Sequence, residues 1–533
     1  MAGEPAASPP ACPGPIPWAA TPGRQAFAVL LAAAALLLAF LGRRELSNPD
    51  EPRDAEIARE YAAGLWTVAP EINGVPFQER PPLFYWMVSA SFRLHGEPSD
   101  ASAKAASALL GVLAVLATWL LGESLIGAGR GWLPALMLLG TPYFFLKFRI
   151  CVTDAGLTAF TTLSLALFFA AHRRGSWPLA AGAGVAAGLA FLCKGLIGLG
   201  VPAVVAGAWL AARRDLGAVL RLRLWLAVLL GLGVVLPWVW ALHGAKGPDG
   251  LRQFFLVQNL GRVGADADHA KPFWAYVCVI WTALPHTPLL LAGLLPGNRR
   301  DGPGREGFLA GALWGGSLLL VLSCIGGKRP IYLLPLLPGA ALAGAAVVEA
   351  AAAGGLAPAW ERATRAWVRF LEALTLQFLL PGGRDLRVRA GAAALGMAAL
   401  TLFADAVVLA RGNARNSGYA MAARAAEAAG ARPLVLFRVG EGDIGQFAFA
   451  LRRRLPVAWT EDSLRAMLGE GPSILLVEEE HLDRALRKGE IPAGFAAGLR
   501  PLGKGIADGH LFGIYAWDGA ATVPRSGGPP AGR

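Results

Sequence analysis

Long apolar runs broken by short polar turns set the pattern of this chain. Eleven of them have or approach spanning length, near 25–42, 101–122, 131–147, 153–171, 177–193, 195–212, 222–242, 273–295, 307–325, 330–350 and 389–410. About 20 apolar residues in a helix cross the hydrocarbon core of a bilayer. The shorter run 82–92 reads as an interfacial or half-inserted helix. From about 412 the pattern changes. Residues 418–431 and 481–489 read as helices, and 433–439, 473–480 and 510–517 as strands, which together predict a small α/β domain. The expected order is a disordered tail (1–23), a membrane domain (24–411) whose external loop spans 43–100, the α/β domain (412–525) and a final tail (526–533). The tail 1–23 lacks the basic region of a signal peptide, so the run 25–42 is read as a retained first span.

Charge sorts the loops between them. One alternating set carries Arg130; Arg173 and Arg174; Arg213, Arg214, Arg221 and Arg223; Arg299, Arg300 and Arg305; and Arg362, Arg365, Arg369, Arg384 and Arg387. The positive-inside rule places these loops, and the N-terminus, in the cytoplasm. Trp360, Trp367 and Phe370 among the arginines of 351–388 predict a basic amphipathic helix on the inner leaflet. The other loops, and everything after 411, then face outward. Their basic residues are mixed with acids, aromatics and prolines, and ionisable groups near bilayer depth are costly enough to suggest function.

The richest outward stretch runs from Asn48 to Trp86. Asp50 can cap a helix, Pro52 suits its first turn, and Ala58, Tyr61, Ala62 and Leu65 form an apolar stripe. Such a helix is expected to lie flat on the membrane with Asp50, Arg53 and Asp54 at the water boundary. QERPPLFYW then brings Glu79 and Arg80, and the expectation is that both clusters meet in one site. A solvated interfacial helix is the plainer reading.

Four further outward stretches carry candidate chemistry. In RICVTDAGLTAF, Asp154 either bridges to Arg149 or orients a substrate hydroxyl. Lys194, between two apolar runs, either snorkels to the interface or meets a phosphate. Residues 253–274 include a short helix ending near Arg262, then Asp266, Asp268 and His269, which can ligate a divalent cation without requiring one. In CIGGKRPIYLLPLLPG, Lys328, Arg329 and Tyr332 follow two glycines, an arrangement that binds a phosphate or caps a helix hairpin. Together these groups suit glycosyl transfer from a lipid phosphate. Cations stabilise the departing phosphate, and a carboxylate takes the proton of the incoming hydroxyl.

Composition supports a membrane protein: 55% of residues are hydrophobic and only 16% charged, against about 25% charged in soluble domains. The formal charge of +12 would suggest nucleic acid in a soluble protein, but cytoplasmic arginine loops account for it here. Cys12, Cys151, Cys193, Cys278 and Cys324 form no zinc-like spacing. There is no internal repeat, which weakens a transporter built from duplicated halves.

Six segments, in order over about 25–411, resemble the GT-C polytopic glycosyltransferases of the protein O-mannosyltransferase and lipid A aminoarabinose transferase type. They are NPDEPRDAEIARE, FQERPPLFYW, RICVTDAGLTAF, CKGLIGLGVP, QNLGRV and GGKRPIYLLPLLP. The resemblance implies a mainly α transmembrane bundle of about 11–13 spans, with periplasmic juxtamembrane helices and a small C-terminal α/β domain in the periplasm. It implies inverting transfer of a monosaccharide from a polyprenyl-phosphate donor, at the periplasmic face of the bacterial inner membrane. The acceptor would be an envelope glycolipid of lipid A type, another glycan, or protein. A transporter of lipid-linked sugars is the alternative of another class. Asp50 matches the family's catalytic aspartate and Glu79 the acid of its second motif. Arg53 and Arg80, with Arg262 and Lys328 more loosely, match positions near the donor phosphate. Asp154, Tyr85 and Lys194 are expected to orient substrate. No cofactor is required; a divalent cation remains open, with Glu79 and His269 as candidate ligands. Arg80 stands where lysine is commoner, and Gln258 where an acid is usual.

Overall fold

The computed structural model describes residues 21–47, 50–64, 68–77, 80–261, 271–294, 304–377, 385–468 and 471–518. The chain divides into two packing units. One comprises Met1–Leu41, Gln78–Phe84 and Lys104–Ala404; the other comprises Gly42–Phe77, Tyr85–Ala103 and Asp405–Arg533.

The first unit is helical. Among the described residues, eight helices are long and apolar enough to cross a membrane, or nine when one bent pair is counted as a span. The eight correspond to eight of the eleven apolar runs, and the chain is a multi-pass membrane protein. The other three runs depart from a simple span. Run 131–147 is two helices, Trp132–Leu139 and Pro142–Lys147. Thr141 between them is extended because it precedes a proline. Run 195–212 is the 17-residue helix Ile197–Arg213, with Pro202 inside it. Run 273–295 is a 3₁₀ segment, Phe273–Ala283, and a helix, Thr287–Leu294, bent by 109°.

Thr153–Arg174 and Pro330–Ala352 are almost wholly enclosed by other helices. Leu224–Arg252 instead exposes Val228, Leu236 and Trp240, the side chains of a lipid-facing surface. Its inner face meets Trp177–Lys194 at small residues. A Cβ on Gly184 would fall 1.9 Å from the Ala227 carbonyl oxygen, and one on Gly188 would fall 2.7 Å from that of Gly231. Glycine here permits backbone-to-backbone approach, the ordinary means of helix association where no hydrophobic drive exists between spans. The amphipathic helix expected in 351–388 is present as Pro358–Leu374. It buries Thr364, Val368 and Leu371, and the Trp367 indole donates to the Pro285 carbonyl at 2.9 Å.

The second unit joins two early segments to the C-terminal α/β structure. Ile-Asn-Gly-Val makes a tight hairpin between β1 (Glu71–Ile72) and β2 (Val75–Pro76), with Asn73 and Gly74 both at positive φ, as a two-residue type I′ turn requires. The main sheet holds β3 (Leu434–Phe437), β4 (Val457–Ala458), β5 (Ser473–Glu478), β6 (Arg500–Ala507) and β7 (His510–Trp517), in the order β4-β3-β5-β7-β6. The β4, β3 and β5 strands run parallel, and β7 and β6 are added antiparallel.

Alternation along the strands builds two apolar layers. Leu434, Leu436, Ile474, Leu476, Phe512 and Ile514 pack with Met421 and Phe447 on one face. Val435, Phe437, Leu475, Val477 and Trp517 pack with Leu464 and Leu482 on the other. The strands expected at 433–439, 473–480 and 510–517 are β3, β5 and β7. Beyond the expected elements the domain holds β4, β6 and the helices Glu441–Leu451 and Glu461–Leu468. β6 (RPLGKGIA) is a mostly exposed edge strand without apolar alternation, so it leaves little periodic signal.

Candidate functional site

The helix predicted after Asp50 is Glu51–Ala62, with Asp50 at its N-cap position and Pro52 in its first turn. Two expectations about it are corrected. Asp50 does not cap the helix with its side chain; its carboxylate accepts from Arg53 Nη2 at 2.9 Å. Nor do Arg53 and Asp54 face a water boundary, because both are buried, as are Glu51, Glu56 and Glu60; of the three residues expected there only Asp50 keeps partial exposure. Within the second unit this helix is covered by Glu441–Leu451, and a Cβ on Gly445 would lie 2.7 Å from the Arg53 Cα. Partners meet the buried charges. Arg59 grips Glu56 through two hydrogen bonds of 2.6 Å, Arg454 reaches Glu60 at 2.6 Å, and Arg44 reaches Glu51 at 3.3 Å.

Around Arg53 these charges form a compact cluster. Its guanidinium bonds Asp50, donates to Asp54 Oδ1 at 3.3 Å and stacks 4.9 Å from the Phe77 ring centre. The Tyr85 hydroxyl donates to the same Asp54 oxygen at 3.3 Å, and the Tyr85 ring packs edge-on against Tyr61. Asp54 is fully enclosed, while Asp50 keeps 13% of its side chain exposed. One arginine thus holds two carboxylates of unlike access.

Upstream, a polar network anchors the chain that leads into this helix. Ser417 donates to Glu45 at 2.7 Å, Asn413 accepts from the Glu45 amide at 2.8 Å, and Tyr419 donates to Asp100, which also accepts from the Leu46 amide. The hairpin is fixed by Asn73, whose amide group exchanges hydrogen bonds with the Leu455 backbone in both directions.

A second cluster lies in the first unit. Arg80 donates to Thr153 Oγ1 at 2.7 Å. Thr153 and Asp154 open the helix Thr153–Arg174, and Lys194 closes Trp177–Lys194. An acid at a helix start and a cation at a helix end both complement the helix dipoles. Lys194 pairs with Asp154 and lies 5.1 Å from the Tyr332 ring centre. Two alternatives are corrected by this arrangement. Asp154 does not bridge to Arg149, whose guanidinium donates to the carbonyls of Leu36 and Leu37 at 3.1 and 2.8 Å. Lys194 does not snorkel outward, since only 11% of its side chain is exposed. Lys328 directs its ammonium to the carbonyls of Lys271 and Ile325, at 3.0 and 2.5 Å.

The structure therefore brings Asp50, Arg53 and Tyr85 into one cluster with Asp54, and Arg80, Asp154 and Lys194 into another with Thr153 and Tyr332. Glu79, Arg262 and His269 lie outside the described residues. Asp54, expected at the water edge, is enclosed instead, and Thr153 joins the site beyond the expected residues. Its signal was its position beside Asp154 at a helix start.

Residues 79–240 match the family described as dolichyl-phosphate-mannose-protein mannosyltransferase. The undecaprenyl phosphate-alpha-4-amino-4-deoxy-L-arabinose arabinosyl transferase 2 of Pseudomonas fluorescens strain Pf-5 is 33% identical over 326 residues, covering 56% of this chain and 52% of the relative. The corresponding transferase of Aeromonas hydrophila is 33% identical over 304 residues, 55% of this chain and 54% of its own. The chain thus spans little more than half the length of these curated relatives. ArnT from Cupriavidus metallidurans, solved bound to undecaprenyl phosphate, superposes with a TM-score of 0.71 at 19% identity, over 93% of this chain and 98% of that one. In sequence and in fold, the chain resembles the GT-C polytopic glycosyltransferases of the aminoarabinose transferase and protein mannosyltransferase type.

Proposed function

We propose that this protein is an inverting glycosyltransferase of the bacterial inner membrane. It moves a monosaccharide from a polyprenyl-phosphate donor to an envelope glycolipid of lipid A type, or to another surface glycan, on the periplasmic side. The observation that carries this reading is the Asp50–Arg53–Asp54–Tyr85 cluster, a partly exposed carboxylate held by a buried, doubly bonded guanidinium. The named function of the relatives supports it.

In the reaction, an acceptor hydroxyl attacks the anomeric carbon. The new C–O bond forms as the bond from that carbon to the phosphate oxygen breaks, and the phosphate keeps the electron pair. Asp50 takes the hydroxyl proton. Arg53 positions Asp50, and Tyr85 fixes Asp54 as the second anchor of that guanidinium. Arg80 and Lys194 are assigned to the phosphate on their motif positions, since fixed cations stabilise the charge that develops on departure. Glu79 and Arg262 are assigned to the same reaction on their motif positions. Glu79 and His269 are the residues that would ligate a divalent cation if the reaction uses one. Lys328, engaged with carbonyls, is assigned to shaping the turn before Pro330.

A protein acceptor is the second reading, favoured by the mannosyltransferase family match over 79–240. Mass spectrometry of envelope glycolipids, glycoproteins and polyprenyl-phosphate sugars in a deletion strain decides between the two. The strain is complemented with wild type or Asp50→Asn. The expected result is one glycan lost, its lipid-phosphate donor accumulated, and rescue by wild type alone. Rescue by Asp50→Asn would remove Asp50 from the chemistry. A loss confined to protein-bound sugar would move the acceptor to protein.

A further inference from the structure

A second cluster of ligand-type side chains lies in the C-terminal sheet, separate from the residues assigned above. Asp443, Glu478 and His510 bring one donor atom each to within 4.8 Å of one another. They come from three separate elements: the first turn of Glu441–Leu451, the last residue of β5 and the first residue of β7. His510 Nδ1 is 3.0 Å from Glu478 Oε1 and 3.9 Å from Asp443 Oδ2. The other Glu478 oxygen is 3.0 Å from His481 Nδ1 and accepts the Gly440 amide at 3.2 Å.

Burial, pairing and location favour a cation here. Asp443 and Glu478 are each only 2% exposed, and two neighbouring buried carboxylates repel unless a positive charge lies between them. No lysine or arginine pairs with Glu478 among the described residues, so the histidines are its only side-chain partners. The location also matters. The helix after β3 leads to β4 on one side, while the chain after β5 leads to β6, beyond β7, on the other. The carboxyl ends of β3 and β5 therefore flank a point where the winding reverses, and such crevices are where open α/β sheets bind ligands.

We propose that Asp443, Glu478 and His510 form a site for a divalent metal ion of the zinc class. Two carboxylate oxygens and one imidazole nitrogen make a donor set suited to Zn²⁺, with a fourth position left for water. His481 acts from outside the ligand set. It holds the second oxygen of Glu478, as hydrogen-bonded partners of metal-ligating carboxylates do. The ion ties together β5, β7 and Glu441–Leu451, the helix that covers Glu51–Ala62.

The test uses full-length protein in detergent, stripped with chelator and titrated with Zn²⁺ against a chromophoric competitor. Glu79→Gln/His269→Ala is titrated alongside, so that any zinc held there is counted separately. Both Asp443→Asn and His510→Ala should bind one equivalent fewer than wild type. His481→Ala should keep that equivalent with an affinity weaker by roughly 10–100-fold. Should Asp443→Asn not fold, the Co²⁺ absorption spectrum of wild type against His510→Ala decides alone, because His510 is half exposed and its truncation is mild. Wild-type stoichiometry or an unchanged Co²⁺ spectrum in His510→Ala would overturn the proposal, leaving histidine–carboxylate ion pairs only.

Discussion

Arg53, which a linear reading assigns to water, and Glu56 one turn on show what burial does to charges. Tyr85→Phe keeps the ring against Tyr61 but removes the hydroxyl from Asp54. A typical net hydrogen bond is worth about 1 kcal/mol, so the expected transfer rate in proteoliposomes falls roughly five- to tenfold with the fold intact. An unchanged rate would free Tyr85 from any positioning role. Glu56 supplies a pH test. Burial pushes its carboxyl up to about 7, with Arg59 pulling the other way. A carboxyl whose folded value is raised contributes stability that is full below its ordinary range near 4.5 and is lost as pH rises through about 7. Glu56→Gln does not titrate, so its stability relative to wild type should improve between pH 5 and pH 8, by at most on the order of 3 kcal/mol at 1.36 kcal/mol per unit. Unfolding of both proteins across that range checks the sign; a relative loss at pH 8 would show that the Arg59 pair dominates.

At the scale of elements, the helix Glu51–Ala62 owes its position to a partner some 390 residues away in sequence. Gly445 lets Glu441–Leu451 approach it so closely that an added methyl would meet the Arg53 backbone. Gly445→Ala should therefore push the helices apart, costing about 1–3 kcal/mol by overpacking and lowering activity through displaced Asp50 and Arg53. Gly430→Ala is the control of opposite type: it has open space but a positive φ, so its cost is local strain and activity should survive. The membrane helices behave differently. Their apolar runs were legible because spanning length is a strong constraint, whereas the breaks at Thr141 and at the bent pair 273–294 depend on local backbone preference that a window of hydropathy averages away.

For the whole molecule, the alternation of arginine-rich and mixed-charge loops carries a topology. A reporter fused after residue 411 should be periplasmic; a cytoplasmic signal would reverse the proposed orientation and with it the side on which transfer occurs. Arg80→Ala and Arg173→Ala then separate site from topology. The first should lower donor binding strongly, since it removes a buried cation bonded to Thr153. The second should leave turnover unchanged. Equal losses in both, measured as KM for the lipid donor, would count against the assignment of Arg80 to the phosphate.

Hydropathy, loop charge and the ordered motifs were enough to determine a multi-pass helical protein with an α/β end, and to single out Asp50, Arg53, Arg80, Asp154 and Lys194. These are local properties: spanning runs, caps and short spacings are written in contiguous residues. Only the tertiary structure decided which charges face each other. Asp154 chose Lys194, forty positions on, over Arg149 five positions before it, because helix packing brings the start of one span to the end of the next. Burial, too, was decided in three dimensions. The amphipathic stripe of Glu51–Ala62 was read correctly as a helix, but its polar edge turned inward because arginines from Arg44 to Arg454 were there to meet it. Charge pairing across hundreds of residues leaves no periodic trace in a sequence, and that is why the helix could be foreseen and its environment could not.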